Sequence, residues 1–144
     1  MLFAYSPNLL FAQSIQRINP PGLTTSPAYS QAVKATPGTV IWVAGQTAHN
    51  AKGELVGRGD LKAQVNQAWE NVKVALEASG ATFKDVVKIT TYVVNYEPSM
   101  REDLRAARLR FMGSTPPPAA TLVGVQSLAD KDWLVEIEVT AVIP

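Results

Sequence analysis

The last quarter of the chain strongly restricts its secondary structure. Three consecutive prolines, at positions 116–118, cannot continue a helix, because proline lacks a backbone N–H and its ring clashes with the preceding turn. Two apolar stretches follow, at about residues 120–128 and 133–142, with a short polar run between them. In the second stretch apolar residues alternate with Glu136 and Glu138, as in a half-buried strand. The pattern predicts two β-strands.

Two upstream segments have the periodicity of amphipathic helices. In the first, Asp60 is a candidate N-cap, apolar residues recur every three or four positions, and Gly80 ends the helix at its C′ position. The second segment, residues 98–111, begins with a proline, which is favoured in the first helical turn. Between the helices, residues 86–94 are rich in β-branched side chains and predict a buried strand.

The first strands are predicted near the N-terminal end. The apolar residues of this region fall into two close segments, residues 30–35 and 39–44, and the Thr-Pro-Gly turn between them predicts a hairpin. The resulting order, β-β-α-β-α-β-β, indicates an α+β fold with two helices on one face of a mostly antiparallel mixed sheet. We expect a single domain over residues 15–144. Residues 1–14 are interpreted as a disordered extension, because their apolar start lacks the basic residues of an export signal.

The composition excludes several kinds of site. The chain of 144 residues has no cysteine and one histidine, which rules out disulfides, thiolate nucleophiles and a multi-histidine metal site within one chain. We expect no metal and no cofactor. The formal charge of +1 gives no reason to expect nucleic-acid binding, and no apolar run is long enough to span a bilayer. A cytoplasmic protein without a membrane partner is expected.

Several stretches, in the same order, resemble the RidA (YjgF-type, or L-PSP) family of small trimeric deaminases. The last quarter of the chain resembles the closing hairpin of that family. Residues 118–121 follow its Pro-Ala-Arg-Ser pattern except that Ala120 replaces the arginine and Thr121 the serine, and residues 136–138 match its Glu-Ile-Glu. The other matching stretches are residues 27–32, 43–46, 64–72, 80–88 and 91–94. The resemblance covers about residues 15–142. It implies a chorismate-mutase-like fold, a homotrimer and a small-molecule pocket at each subunit interface.

The resemblance also implies a set of site residues. Glu136 corresponds to the glutamate that positions the attacking water, and is the expected catalytic residue. The expected substrate-binding residues are Tyr29, Ala44, Gly45, Tyr92, Asp103, Ala120 and Thr121. The family arginine that grips the substrate carboxylate is replaced by Ala120. Each charge-assisted hydrogen bond contributes about 1.5–3 kcal/mol, so we expect weak activity on 2-imino acids.

Two functions are compatible with these residues. The first is a deaminase-type hydrolase acting on a small imine, enamine or related compound. The alternative is a non-catalytic trimer that binds a small metabolite or a protein partner. For Gly45 the residue type allows either close approach of a ligand or subunit, or a β-bulge.

Other conspicuous side chains have ordinary structural interpretations. Arg101, Arg105 and Arg108 share one side of the second helix and could bind RNA, but nearby acidic residues can pair with them at helical spacing. We expect a solvated, internally neutralised face and no nucleic-acid partner. His49 is expected at the surface. The three tryptophans are expected in the core or at a subunit interface; they are Trp42, Trp69 and Trp133.

Overall fold

The computed structural model describes residues 14–23 and 25–144. Its strands are β1 (Ser14–Ile18), β2 (Ala32–Thr36), β3 (Thr39–Gln46), β4 (Val86–Val94), β5 (Ala119–Val125) and β6 (Val135–Ile143). Its α-helices are α1 (Leu61–Ala78) and α2 (Arg101–Met112), and single-turn 3₁₀ helices precede β4 and α2 at Phe83–Asp85 and Pro98–Met100. No helix in these described ranges is long and apolar enough to cross a membrane.

A four-stranded mixed sheet is the centre of the fold. Its strand order is β3-β6-β4-β5; β4 and β5 run parallel, and the other neighbours are antiparallel. Strands β1 and β2 form a separate antiparallel pair. Both helices contribute buried side chains to one core with alternate residues of β4 and β6, so they cover the same face of the sheet. The predicted α+β fold is therefore confirmed.

The ends of α1 follow from its capping residues. The Asp60 side chain accepts a hydrogen bond from the Ala63 backbone N–H at 3.0 Å, and so satisfies one of the free donors of the first turn. At the other end Gly80 has a φ of +76°, a conformation that side chains other than glycine rarely adopt. Both predicted ends are confirmed. Between them Trp69, 2% exposed, packs against Phe83 and Phe111.

The two predicted hairpins are wrong, although their strands exist. Strand β2 pairs with β1, a short strand that the sequence analysis did not assign, and β3 pairs with β6. Strand β5 pairs with β4, while β6 lies between β3 and β4. The parallel β4–β5 pair requires a crossover, which α2 provides.

Buried Gln64 on α1 explains why β5 and β6 do not fold back on each other. Its amide group donates to the Asp132 carbonyl at 2.9 Å and accepts from the Leu134 N–H at 2.8 Å. These bonds hold the linker between the two strands against α1, so that the chain passes over the end of β4 before β6 begins. Such a long-range contact leaves no local pattern in the sequence.

The proposed N-terminal extension falls almost wholly outside the described residues. Residues 1–13 are not described, and Ser14, which was included in the extension, begins β1.

Candidate functional site

The predicted site residues lie in two groups on opposite faces of the sheet. The first group borders a cavity of about 200 Å³ between the helices and strands β4 and β5, here called the helix-side cleft. Of the predicted residues, Tyr29 and Ala120 line this cleft. Thr121 borders it as well, but its hydroxyl accepts a hydrogen bond from Lys88, whose side chain lies on the opposite face of the sheet. The second group consists of Ala44, Gly45, Tyr92 and Glu136. These residues, like Trp42 and Glu138, lie on the face of the sheet that neither α1 nor α2 covers, here called the helix-free face.

The position of Tyr29 depends on the segment that follows it. The backbone N–H of Ser30 donates to the Pro118 carbonyl at 3.0 Å, and its hydroxyl donates to the Pro117 carbonyl at 2.7 Å. These bonds tie the Tyr29 segment to the extended chain that leads into β5. As a result half-buried Tyr29 and Ala120 line the same cleft, although 91 positions separate them in the sequence.

The arginines of α2 are placed differently from the prediction. Arg101, Arg105 and Arg108 all line the helix-side cleft. Among the described residues the only ion pair they make joins Arg105 to Glu102 at 3.6 Å, and both of these side chains are exposed. The expectation of a solvated, internally neutralised face is confirmed only in part. Arg101 and Arg105 are exposed and Arg105 pairs with Glu102. Arg108, by contrast, is half-buried and makes no ion pair with the described residues. Arg105 and Arg108 follow buried Leu104 and Ala107 directly, which brings them to the edge of the core rather than to its far side.

Burial affects Arg108 in particular. Removal from water, and secondarily the nearby charge of Arg105, lower the pKa of Arg108 from its ordinary value. The guanidinium still remains charged at neutral pH, because arginine is not deprotonated in proteins. The cleft therefore contains a half-buried positive charge.

Glu136 and Gly45 form a close pair on the helix-free face. A Cβ atom at Gly45 would lie 1.8 Å from the Glu136 Oε1 atom, so only glycine leaves room for this carboxylate. The pairing of β3 with β6 also shifts register between Val43 and Gln46, which indicates a bulge. The bulge considered for Gly45 is therefore present, and the side chain that approaches it is the chain's own Glu136. Approach of a ligand or a neighbouring subunit stays a prediction.

Tyr92 lies opposite Glu136 in the β4–β6 pairing and hydrogen-bonds to the neighbouring glutamate. Its hydroxyl donates to Glu138 Oε1 at 3.2 Å. This hydrogen bond and burial, together with the charges of Glu138 and Glu136, raise the pKa of Tyr92. The phenol therefore stays protonated at neutral pH. Glu136 itself makes no hydrogen bond or ion pair with the described residues, so its carboxylate is available to a ligand or to water.

Four further predictions have mixed outcomes. Asp103 is half-buried near the start of α2 and belongs to neither of the two groups. Ala44 is exposed in a depression that Trp42 and Glu138 also line. His49 is half-buried rather than at the surface, because its ring contacts Trp133 edge-on with centroids 5.2 Å apart. Of the tryptophans, Trp69 is in the core and Trp42 is 79% exposed on the helix-free face.

The described residues contain no cluster of three or more His, Asp or Glu side chains that could hold a metal ion. What the geometry offers is a carboxylate without a protein partner on one face and a basic, mostly apolar cleft on the other. The cleft arginines are the residues that sequence reasoning missed. Their spacing with buried Leu104 and Ala107 was the available signal.

Comparisons with known proteins agree with this fold. The sequence model described as "Endoribonuclease L-PSP" matches residues 22–143. A RutC family protein of Pyrococcus horikoshii is 39% identical over 114 residues, 78% of this chain and 85% of that protein. A 2-iminobutanoate/2-iminopropanoate deaminase of Dermatophagoides farinae is 35% identical over 117 residues, 80% of this chain and 85% of that protein. The crystal structure of a Rid family protein of unknown function from Yersinia pestis matches with a TM-score of 0.85 and 41% identity, over 90% of this chain and 98% of that one.

Proposed function

Because this chain belongs to the endoribonuclease L-PSP family, which includes the RidA and RutC proteins, we propose that it is a deaminase-type hydrolase of a small imine or enamine. We further propose that it acts as a cytoplasmic homotrimer with a pocket at each subunit interface. The deaminase name of the Dermatophagoides farinae relative supports the reaction type. The geometry around Glu136 supports its assignment as the catalytic residue.

The observation that carries the proposal is the unpartnered Glu136 carboxylate held against Gly45. Glu138, two residues away on the same strand, accepts a hydrogen bond from Tyr92, whereas Glu136 makes none with the described residues. A carboxylate that no protein group hydrogen-bonds can accept a proton from a water molecule. Glu136 is therefore the general base of the proposed reaction.

The separation of the two groups supports a shared site. Tyr29 and Ala120 line the helix-side cleft, while Glu136 is on the helix-free face, so the sheet separates them within one chain. A second copy that packs its helix-free face near the cleft brings the two groups together. In a closed trimer this contact repeats three times and gives three equivalent pockets.

The proposed reaction needs only water and the two groups of residues, those of the helix-side cleft and those of the helix-free face. Glu136 takes a proton from water as the water oxygen bonds to the imine carbon and the C=N π electrons move to nitrogen, and it then passes this proton to the nitrogen. In the resulting carbinolamine, Glu136 takes the hydroxyl proton as the C=O bond forms and the C–N bond breaks. It gives that proton to the leaving nitrogen, which departs as ammonia. An enamine enters the same route after protonation at carbon. Imine and water are thus converted to carbonyl and ammonia without a cofactor.

Replacement of the family arginine by Ala120 favours the alternative, a trimer that binds a small metabolite or a protein partner without turnover. The distinction is experimental. Imines generated in the assay by an amino-acid oxidase should release ammonia faster when the protein is present. Glu136→Gln should lower this acceleration by about 10²-fold or more, because it removes the base and keeps the shape.

Glu138→Gln is the matched control, since it changes the same charge on the same strand. It should retain most of the activity. An unaltered rate in Glu136→Gln would rule out the catalytic assignment, and no acceleration by the unmodified protein with any imine would favour the binding alternative.

A further inference from the structure

The helix-side cleft has an excess of positive charge. Arg101, Arg105 and Arg108 line it, and none of the acidic residues in the described part of the chain does. Arg101 and Arg108 make no ion pair in the described part of the chain, and the one partner of Arg105, Glu102, is exposed on α2 outside the cleft. The spacings of four and three residues place all three side chains along one stripe of the helix. The chain itself therefore does not neutralise this charge.

Arg105 and Arg108 are the best placed to bind an anion. Burial and the charge of Arg105 both destabilise the charged form of the Arg108 guanidinium. An anion between the two side chains would offset the repulsion and replace the lost hydration. Arginine suits this role because its planar group donates two parallel hydrogen bonds to one carboxylate.

The rest of the cleft determines the size and polarity of the ligand. Its lining includes apolar side chains from both helices and from strands β4 and β5: Val65, Trp69, Ile89, Leu104 and Leu122. A volume of about 200 Å³ holds several water molecules at about 30 Å³ each, so it admits a small molecule and no macromolecule. Ala120 leaves open the space that a longer side chain would fill.

We propose that Arg105 and Arg108 form an anion-binding site that holds the carboxylate of a small organic acid, with its apolar body beside Ala120. This inference rests on the proposed function, since it takes the cleft as the substrate-binding half of the shared pocket. The residues that bind the carboxylate then lie on α2, whereas the family arginine corresponds to position 120 on β5. The expectation of weak activity on 2-imino acids, which was based on position 120 alone, then applies only to the smallest of them. Acids with a branched apolar side chain are the preferred ligands.

The test compares an acid with its neutral counterpart by calorimetry. The probes are 4-methyl-2-oxopentanoate and 4-methyl-2-oxopentanamide, which share one apolar body. The intact protein should bind the acid at least tenfold more tightly than the amide. The double variant Arg105→Gln/Arg108→Gln should bind both equally. Arg110→Gln is the control, because Arg110 stacks on Phe111 at 5.5 Å and does not line the cleft; it should keep the preference.

A second pair of variants keeps the test decisive if the double variant does not fold. Ala120→Glu places a carboxylate in the cleft, where it should pair with the arginines and abolish acid binding. Ala120→Gln has nearly the same size without the charge. Its affinity for the acid should be at least as high, within a few-fold, as the affinity of the Ala120→Glu variant for the amide. Equal loss of acid binding in both variants would overturn the proposal.

Two other results would also overturn it. One is equal affinity of the unmodified protein for the acid and the amide. The other is binding of single-stranded RNA that depends on Arg105 and Arg108 while acid binding does not. These binding measurements require no turnover. If ammonia release fails but arginine-dependent acid binding is found, the hydrolase proposal fails and the anion site stands; the reverse outcome removes the anion site alone.

Discussion

The two faces of the central sheet use the same strands for different purposes. On the covered face of β6, Val135, Ile137 and Val139 are buried in the core with both helices. On the helix-free face, Glu136 and Glu138 alternate with them and remain accessible. The period-two geometry of a strand lets one segment contribute stability and a candidate active site at the same time. Substitutions on the two faces should therefore separate stability from activity.

The largest effect on stability is expected from the covered face. Ile137 is 0% exposed, so Ile137→Ala leaves a cavity in the core and should lower the free energy of unfolding by about 2–5 kcal/mol. Glu136→Gln on the adjacent position should change it by less than about 0.5 kcal/mol. Urea unfolding at fixed protein concentration measures both. Similar losses for the two variants would show that the faces are not independent.

The next prediction concerns a variant that perturbs the helix-free face without replacing a charged residue. Gly45→Ala introduces a Cβ into the space of the Glu136 carboxyl group, which ends a flexible side chain and can rotate away. We expect a stability loss of about 1 kcal/mol and a much larger fall in ammonia release, because the base is displaced. Gly53→Ala is a comparison at a solvent-exposed turn: its φ of +78° makes alanine strained there, but the Cβ meets no atom within 4 Å, so it should cost stability and leave ammonia release unchanged. Full activity of Gly45→Ala would contradict the assigned position of the base.

The smallest effect concerns Tyr92 and appears only at alkaline pH. Since the pKa of Tyr92 is raised in the folded protein, the folded state keeps this proton after the unfolded chain, with its ordinary value of 10.0, begins to lose it. The contribution of Tyr92 to stability is therefore complete below pH 10 and declines as the pH rises through the folded-state value. Tyr92→Phe should remove this part of the decline. Parallel stability curves for the two proteins from pH 8 to 11 would refute it.

The sequence predicted local structure better than strand pairing. Asp60, Gly80 and the β-branched run of β4 act through neighbouring residues, and these features were predicted correctly. The pairing of β2 with β1, and the position of β6 between β3 and β4, depend on contacts between distant segments. The bonds of Gln64 to the linker before β6 are one such contact.

The site divides in the same way. The closeness of Gly45 to Glu136 is compatible with the residue types, and both positions were identified from the sequence. The cleft arginines were assigned to a neutralised surface, because helical spacing to acidic residues shows which pairs are possible and not which ones form. Their true neighbours come from β5 and the Tyr29 segment, which only the folded chain brings beside α2.

The central claim is that the helix-side cleft of one subunit and the helix-free face of another make one site. Mixed trimers test it directly. Glu136→Gln removes the base, and Ala120→Trp should block the cleft, so each variant alone is expected to be inactive. When the two are refolded together in equal amounts, random assembly places an intact cleft beside an intact face in about a quarter of the pockets. Ammonia release should then return to about a quarter of the unmodified rate. Mixed trimers as inactive as either parent would contradict the shared site.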